Sequence, residues 1–320
     1  MRTLLVFVGY LAITTTGQMG GPPGRLFDVA GRKLHLLCSG NGSPTVVLEA
    51  GASSFAIDWS LVQRAVARSQ RVCSYDRAGM GWSEASSGFE APGRVISDLH
   101  GLLRAANEPP PYLMVGASRG GLYVRLYQLE YPDDVAGLVL VDPATEDRLF
   151  VMYQGRIAAI ASLTAEQFAT TFPSSGSRPI PPRQPQKGVP FDRLPPELYD
   201  LRIKLDQQLI DSIGSTITAE RAREYGEAER AMLARLLRSR ESADAPMSRV
   251  PVVVLTRGLD MTDGLAENHA TLARLSRNAR HTVVRDSGHE VHLFAPAAVI
   301  TAIADVTMAI QKQTRLPQEH

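Results

Sequence analysis

Segments typical of strands and of helices alternate along most of the chain, and this alternation constrains the fold more than any other feature of the sequence. The runs predicted to be strands are residues 45–49, 71–75, 112–115, 135–141, 250–256 and 281–285, preceded by a predicted hairpin within 25–37. The stretches predicted to be helices are 94–106, 121–130, 264–275 and 296–311. Such alternation predicts an α/β fold with a mostly parallel central sheet and helices on both faces.

The alternation is interrupted between residues 144 and 248, where the sequence predicts helices and no strand. Thr164 begins a capping-box pattern, and a long amphipathic helix is predicted over 218–240. We therefore expect one core made of residues 25–143 and 249–313, with 144–248 inserted as a helical cap. A cap of this kind would lie over the carboxyl edge of the sheet, where α/β folds bind ligands.

A G-x-S-x-G sequence, Gly116 to Gly120 with Ser118 at its centre, lies directly between a predicted strand and a predicted helix. A sharp strand-to-helix turn exposes the serine hydroxyl, and the glycines let neighbouring backbone pass closely. A serine hydroxyl is a weak nucleophile at neutral pH and needs a base. His289 follows a late predicted strand, and Asp260 lies between the two in the chain. The order Ser118, Asp260, His289 therefore predicts nucleophilic catalysis.

Several segments in this order resemble the α/β-hydrolases of the fold-1 type. They are residues 47–52, 75–83, 116–120, 138–143 and 287–289, so the resemblance covers nearly the whole chain from Arg25 to Gln311. It implies that Ser118 is the nucleophile, His289 the general base and later acid, and Asp260 the residue that orients the imidazole. It also implies an oxyanion hole made by the backbone N–H groups of Ala52 and Arg119.

The acid has alternatives in the sequence. Asp260 occupies the position that the resemblance favours, but Asp263 lies in the same predicted loop and offers a second carboxylate. Asp142 ends the preceding predicted strand, where some relatives place their acid. The histidine has a neighbour in His292, but His289 and His292 are three residues apart, whereas a zinc-protease helix needs four.

Three further residues call for an interpretation. Arg119 follows the nucleophile, and we expect its side chain to pair with a carboxylate of the cap; the alternative is contact with an anionic part of the substrate. Asp76 and Arg77 are expected to form a structural ion pair or turn rather than to contact substrate.

Cys38 and Cys73 are the two cysteines of the chain, too few for a cysteine-only zinc site. The sheet order of the family places their strands side by side. In an exported protein they could be bonded, and in a cytosolic one they would be small buried hydrophobic residues.

The N-terminus has the features of a secretory signal. Arg2 precedes an apolar run from Leu4 to Ile13, and small residues follow it up to Gly17. The run is shorter than the roughly 20 residues that cross a bilayer. We expect residues 1–17 to be a signal peptide and the protein to be secreted or periplasmic; the alternative is a cytoplasmic protein with a buried N-terminal segment.

The charge balance bears on the partners. The chain has 34 Lys and Arg against 33 Asp and Glu, so the formal net charge is only +1. This balance, without a basic block, argues against a nucleic-acid binder.

We expect a serine hydrolase that cleaves carboxylic esters of small, mostly apolar molecules, with no metal and no organic cofactor. The alternatives are hydrolysis of amides, lactones or carbon–carbon bonds, and a ligand receptor that retains the fold without turnover.

Overall fold

The computed structural model describes residues 21–85, 91–171, 175–179, 182–213, 216–240 and 246–317. Its centre is an eight-stranded sheet in the order β1-β2-β4-β3-β5-β6-β11-β12. These strands are β1 Arg25–Val29, β2 Arg32–Ser39, β3 Thr45–Glu49, β4 Val72–Tyr75, β5 Tyr112–Ala117, β6 Val135–Val141, β11 Val252–Arg257 and β12 Ala279–Val284. Strand β2 runs antiparallel to both of its neighbours, β1 and β4. The six strands from β4 to β12 in the sheet order run parallel to one another. The predicted α/β class is thereby confirmed.

Helices cover both faces of this sheet because the central strands are apolar on both sides. On β5, Met114 points into one hydrophobic cluster, while Leu113 and Val115 point into the other. The first cluster packs against α2 Pro92–Ala105 and α3 Arg119–Glu130, and the second against α1 Ser60–Val66 and α9 Pro296–Lys312. Period-two alternation of side chains within a strand buried on both faces produces this two-sided core.

The segment between β6 and β11 contains helices and, contrary to the sequence prediction, short strands. The helices are α4 Ala165–Ala169, α5 Pro196–Ile213 and α6 Ala219–Ser239. The strands are β7 Phe150–Tyr153, β8 Arg156–Ala159, β9 Ser177–Pro179 and β10 Thr216–Thr218. Gln154 and Gly155 both have positive φ between β7 and β8, which is the turn that a tight hairpin requires. The turn signal was present in the sequence, but the strands beside it are only four residues each.

Two predicted helix starts in this segment are confirmed. Thr164 accepts from the backbone N–H of Gln167, whose side chain accepts from the backbone N–H of Thr164, so the capping box forms. Thr218 caps α6 in the same manner, by accepting from the backbone N–H of Arg221.

Cys38 and Cys73 face each other in the register of β2 and β4 and form a disulfide. The two cysteines are therefore bonded, which was one of the two alternatives for them.

The remaining helices of the core are α7 Leu265–Ala273 and α8 Val291–Phe294. Within the described ranges, no helix combines the length and the apolar character needed to cross a membrane. The predicted signal peptide, residues 1–17, lies outside the described residues.

Candidate active site

Ser118 lies at a sharp turn between the end of β5 and the start of α3. Its backbone has φ 51° and ψ −120°, a strained conformation for a residue with a side chain. A Cβ on Gly116 would lie 2.5 Å from the carbonyl oxygen of Gly120, and a Cβ on Gly120 would lie 2.5 Å from that of Glu49. Both positions therefore require glycine, and the turn has the geometry that the G-x-S-x-G pattern predicts.

His289 lies between β12 and α8 and contacts Ser118. Its Nε2 is 2.9 Å from the Ser118 Oγ, and its Nδ1 is 2.5 Å from Oδ2 of Asp142. With the Nδ1 proton donated to the carboxylate, Nε2 is the nitrogen that accepts from the serine hydroxyl. The three side chains thus form one continuous chain of hydrogen bonds.

Asp142 is the residue directly after β6, and its carboxylate is buried. Its Oδ1 accepts from the backbone N–H of Arg257 at 3.0 Å, and the Arg257 guanidinium donates to Oδ2 at 3.0 Å. Burial alone would raise the pKa of the Asp142 carboxyl, but the hydrogen bonds from His289 and Arg257 and their charges hold it below its usual value. The carboxylate is therefore ionised beside the imidazole at neutral pH.

The prediction that Asp260 contacts the imidazole is wrong in this structure. Asp260 is exposed, three positions beyond the end of β11, and the His289 Nδ1 is hydrogen-bonded to Asp142 instead. Asp263 is exposed as well, and its backbone carbonyl accepts from Arg148. At the end of β11 the chain supplies Arg257, whose backbone N–H and guanidinium hold the Asp142 carboxylate against His289, while Asp260 lies farther along the loop and is exposed.

The two residues predicted to supply the oxyanion-hole amides are chain neighbours of residues at this turn, Ala52 following Gly51 and Arg119 following Ser118. A Cβ on Gly51 would lie 3.5 Å from the Ser118 Cβ, so the loop that carries Ala52 lies against the serine. Arg119 is the first residue of α3, and the helix dipole favours negative charge at that end. Within the described residues, neither amide donates to a protein acceptor.

Arg77 holds the loop that carries Ala52, a role that the sequence reasoning missed. The Arg77 guanidinium donates to the carbonyl oxygens of Ala50, Gly51 and Ala52 at 2.8, 2.5 and 3.1 Å. Its ionic partner is the buried carboxylate of Glu49 at 2.6 Å. Because the side chain occupies the carbonyls of the loop, it fixes the direction of the intervening amides.

Of the two structural expectations for Asp76 and Arg77, the ion pair between them is wrong and the turn is present, with the backbone N–H of Met80 donating to the Arg77 carbonyl at 2.9 Å. Asp76 is buried and accepts from the backbone N–H of Ala56 at 2.8 Å, and its other oxygen lies 2.7 Å from the Nδ1 of His35. Each of the two residues has its partner on another strand, His35 on β2 for Asp76 and Glu49 on β3 for Arg77.

The Arg119 side chain extends from the turn at Ser118 to the inserted segment. It donates to the Tyr225 hydroxyl at 2.6 Å and to the Glu229 carboxylate at 2.7 Å, both on α6, and to the Tyr123 hydroxyl at 2.9 Å. The expected pairing of Arg119 with a carboxylate of the inserted segment is thus confirmed.

His269 is a buried neighbour of Asp142. Its Nε2 lies 2.8 Å from the carbonyl oxygen of Pro143, and its Nδ1 lies 2.8 Å from the Thr256 hydroxyl. Burial lowers the pKa of His269 to about 4, so this imidazole is neutral at pH 7. Neither His269 nor Arg257 belongs to a recognisable sequence motif, because each contacts residues that are distant in the chain.

The side chains that lie close enough together to bind a metal ion are outside the site around Ser118. Among the described residues, the one group of three side chains close enough to share an ion is Cys38, Cys73 and Glu108, and its two sulfurs are bonded to each other. A bonded sulfur offers no thiolate to a metal.

Residues 44–296 match the family model described as the alpha/beta hydrolase fold. The chain belongs to this family. A curated relative, the uncharacterized protein YqjL of Bacillus subtilis strain 168, is 33% identical over 108 residues. The match covers 34% of this chain and 43% of YqjL, so the chain aligns with less than half of that relative.

Solved structures of this hydrolase family have the same fold. A thermophilic esterase from Thermogutta terrifontis, with malate bound, superposes with a TM-score of 0.56 at 19% identity, covering 89% of this chain and 98% of the esterase. A meta-cleavage product hydrolase from Pseudomonas fluorescens IP01 gives 0.58 at 18% identity, covering 89% of this chain and 97% of that hydrolase. At such identities the likeness establishes the fold alone.

Proposed function

We propose that this alpha/beta hydrolase cleaves carboxylic esters of small molecules through an acyl-enzyme. The observation that carries the proposal is the hydrogen-bonded chain from the Ser118 Oγ through both nitrogens of His289 to Asp142. A nucleophile, a base within hydrogen-bond reach and a group that orients the base are the parts that acyl transfer needs.

In the first half of the reaction, the Ser118 oxygen attacks the ester carbonyl as its proton passes to Nε2 of His289. The negative charge that develops on the carbonyl oxygen is stabilised by the amides of Ala52 and Arg119. Asp142 keeps the imidazole in the reactive tautomer and stabilises the imidazolium. His289 then protonates the departing alkoxide, which leaves Ser118 acylated.

In the second half, water takes the place of the alcohol. His289 accepts a proton from the water, the hydroxide attacks the acyl carbonyl, and Ser118 leaves with the proton returned from the imidazolium. Water supplies both the oxygen of the acid product and the hydrogen that restores the serine hydroxyl.

Residues 144–248 are proposed to act as the cap that selects the substrate. Support comes from the contacts of Glu229 and Tyr225 with Arg119, next to the nucleophile, and of Arg183 with the Ser53 hydroxyl at 2.9 Å, next to Ala52. Side chains of the segment therefore touch Arg119, which is one proposed oxyanion donor, and Ser53, which is the neighbour of the other. We also propose that the protein is exported, as the disulfide between Cys38 and Cys73 is typical of oxidising compartments.

A fluorophosphonate probe together with a panel of p-nitrophenyl esters tests the hydrolase proposal. We expect the probe to label Ser118, and Ser118→Ala to remove labelling and lower kcat by more than about 10⁴-fold. Ser97→Ala, on the exposed face of α2, is the control and should change neither. Folded protein that is neither labelled nor active on any ester would point instead to a non-catalytic ligand receptor.

A further inference from the structure

A cavity of about 150 Å³ opens beside the proposed nucleophile, between the loop that follows β6 and the start of α7. Ser118 and His289 are among the residues that line it. Leu149 and Leu265 give it an apolar wall, and the side chain of Arg148 lines the same space. A group that fills this cavity would therefore share it with Ser118 and His289 and with Arg148.

Arg148 differs from the other arginines near this edge of the sheet because its partners carry no charge. It donates to the Thr262 hydroxyl at 2.8 Å and to the backbone carbonyl of Asp263 at 3.2 Å. Within the part of the chain that the structure describes, it forms no ion pair with a carboxylate. The paired arginines nearby are Arg119 with Glu229, Arg125 with Glu146, Arg240 with Glu146 and Asp147, and Arg257 with Asp142.

The other charged groups that line the cavity balance one another. Arg257 is paired with the ionised Asp142. Burial lowers the pKa of His269 to about 4, so that imidazole contributes no charge at neutral pH. The positive charge of Arg148 is therefore the one left without a counter-charge in the lining.

We propose that Arg148 binds a carboxylate carried by the substrate, so that this hydrolase acts on small esters that bear a free carboxylate. A guanidinium matches the planar, two-oxygen geometry of a carboxylate and binds it by charge-assisted hydrogen bonds. The apolar wall fits the few methylene groups that would join the carboxylate to the scissile ester. The proposal rests on the proposed ester hydrolysis and narrows its substrate class from carboxylic esters of small molecules to half-esters of dicarboxylic acids.

Arg119 is not the residue that recognises such an anion. Its guanidinium is already occupied by two tyrosine hydroxyls and by Glu229. An anionic substrate would have to displace a carboxylate that is held at 2.7 Å.

Binding to the Ser118→Ala protein tests the subsite without requiring turnover. By calorimetry, we expect monomethyl succinate, an anion, to bind about tenfold more tightly than neutral dimethyl succinate, as one charge-assisted interaction implies. Adding Arg148→Gln should abolish the preference, and adding Arg148→Lys should retain part of it. Arg64→Gln, which removes an exposed positive charge on α1, is the matched control and should leave the preference unchanged.

The two proposals fail in different ways. A monoanion that binds no better than the neutral diester, or a preference that survives Arg148→Gln, overturns the carboxylate subsite. Initial rates of the wild-type protein on dimethyl succinate and labelling of Ser118 report on ester hydrolysis separately. Hydrolysis of the neutral diester with no preference for the monoanion would leave the proposed function standing and the subsite refuted.

Discussion

His289 Nδ1 lies 2.5 Å from Oδ2 of Asp142, so the carboxylate behind the imidazole comes from the loop after β6 and not from the loop after β11. The two loops are neighbours because β6 and β11 pair in parallel, with Val141 opposite Leu255. A carboxylate at either strand end can face the same histidine. In this chain, Arg257 at the end of β11 holds the β6 carboxylate in place instead of supplying one.

Asp142→Asn should therefore lower kcat on p-nitrophenyl esters by about 10³–10⁴-fold, since an amide neither fixes the reactive tautomer nor stabilises the imidazolium. Asp260→Asn and Asp263→Asn replace exposed carboxylates and should retain nearly full activity. Steady-state kinetics on the three purified variants makes the comparison. Equal losses in Asp142→Asn and Asp260→Asn would show that the β11 loop supplies the acid during turnover.

The contact between Arg119 and Glu229 should stabilise the inserted segment on the core. Both side chains are mostly buried, so a double-mutant cycle of Arg119→Gln and Glu229→Gln in urea should give a coupling energy of about 1–3 kcal/mol. The exposed pair Lys33 and Asp28, on the hairpin of β1 and β2, is the control and should couple by less than about 1 kcal/mol. Coupling no larger than that of this control pair would mean that Arg119 does not hold the segment.

The disulfide between Cys38 and Cys73 closes a loop with a sequence separation of 35. A loop of that length implies a loss of about 3–4 kcal/mol in the free energy of unfolding when both cysteines become alanine. Urea unfolding of the double variant measures the loss. Reductant should lower the stability of the wild-type protein and leave the variant unchanged; alkylation of both thiols in unreduced, unfolded protein would contradict the bond.

Local patterns were sufficient to predict the elements that depend on neighbours in sequence. The strand, turn and helix around Ser118, the capping box at Thr164 and the central strands follow from periodicity and turn chemistry over a few residues. The strands β7 and β8 were missed because four-residue runs carry little periodic signal, although Gln154 and Gly155 marked the turn.

Contacts between distant strands could not be predicted in the same way. The sequence offers Asp142, Asp260 and Asp263 after strands, and the carboxylate that reaches His289 is the one that Arg257, 115 positions away in the chain, holds in place. Arg77 was assigned to its sequence neighbour because nothing local marks Glu49, which lies on another strand, as its partner.

His292 gives the structure a specific sensitivity to acid. It is buried, its ring packs 4.5 Å from that of Trp59, and burial lowers its pKa to about 3, with smaller contributions from His289 and Arg202. In the unfolded chain, a histidine takes up its proton near pH 6.5. Between pH 6.5 and about 3 the unfolded state therefore binds one more proton at this residue, so the stability present above pH 6.5 is lost as the pH falls.

His292→Phe should flatten this dependence, because phenylalanine keeps the ring against Trp59 and binds no proton. Each additional proton that the unfolded state binds changes the free energy of unfolding by about 1.4 kcal/mol per pH unit. The slope of the free energy of unfolding against pH between pH 6 and 4 should therefore fall by about that amount in the variant. Urea unfolding at half-unit steps of pH measures it. A slope that stays unchanged in His292→Phe would mean that His292 is protonated in the folded protein over this pH range.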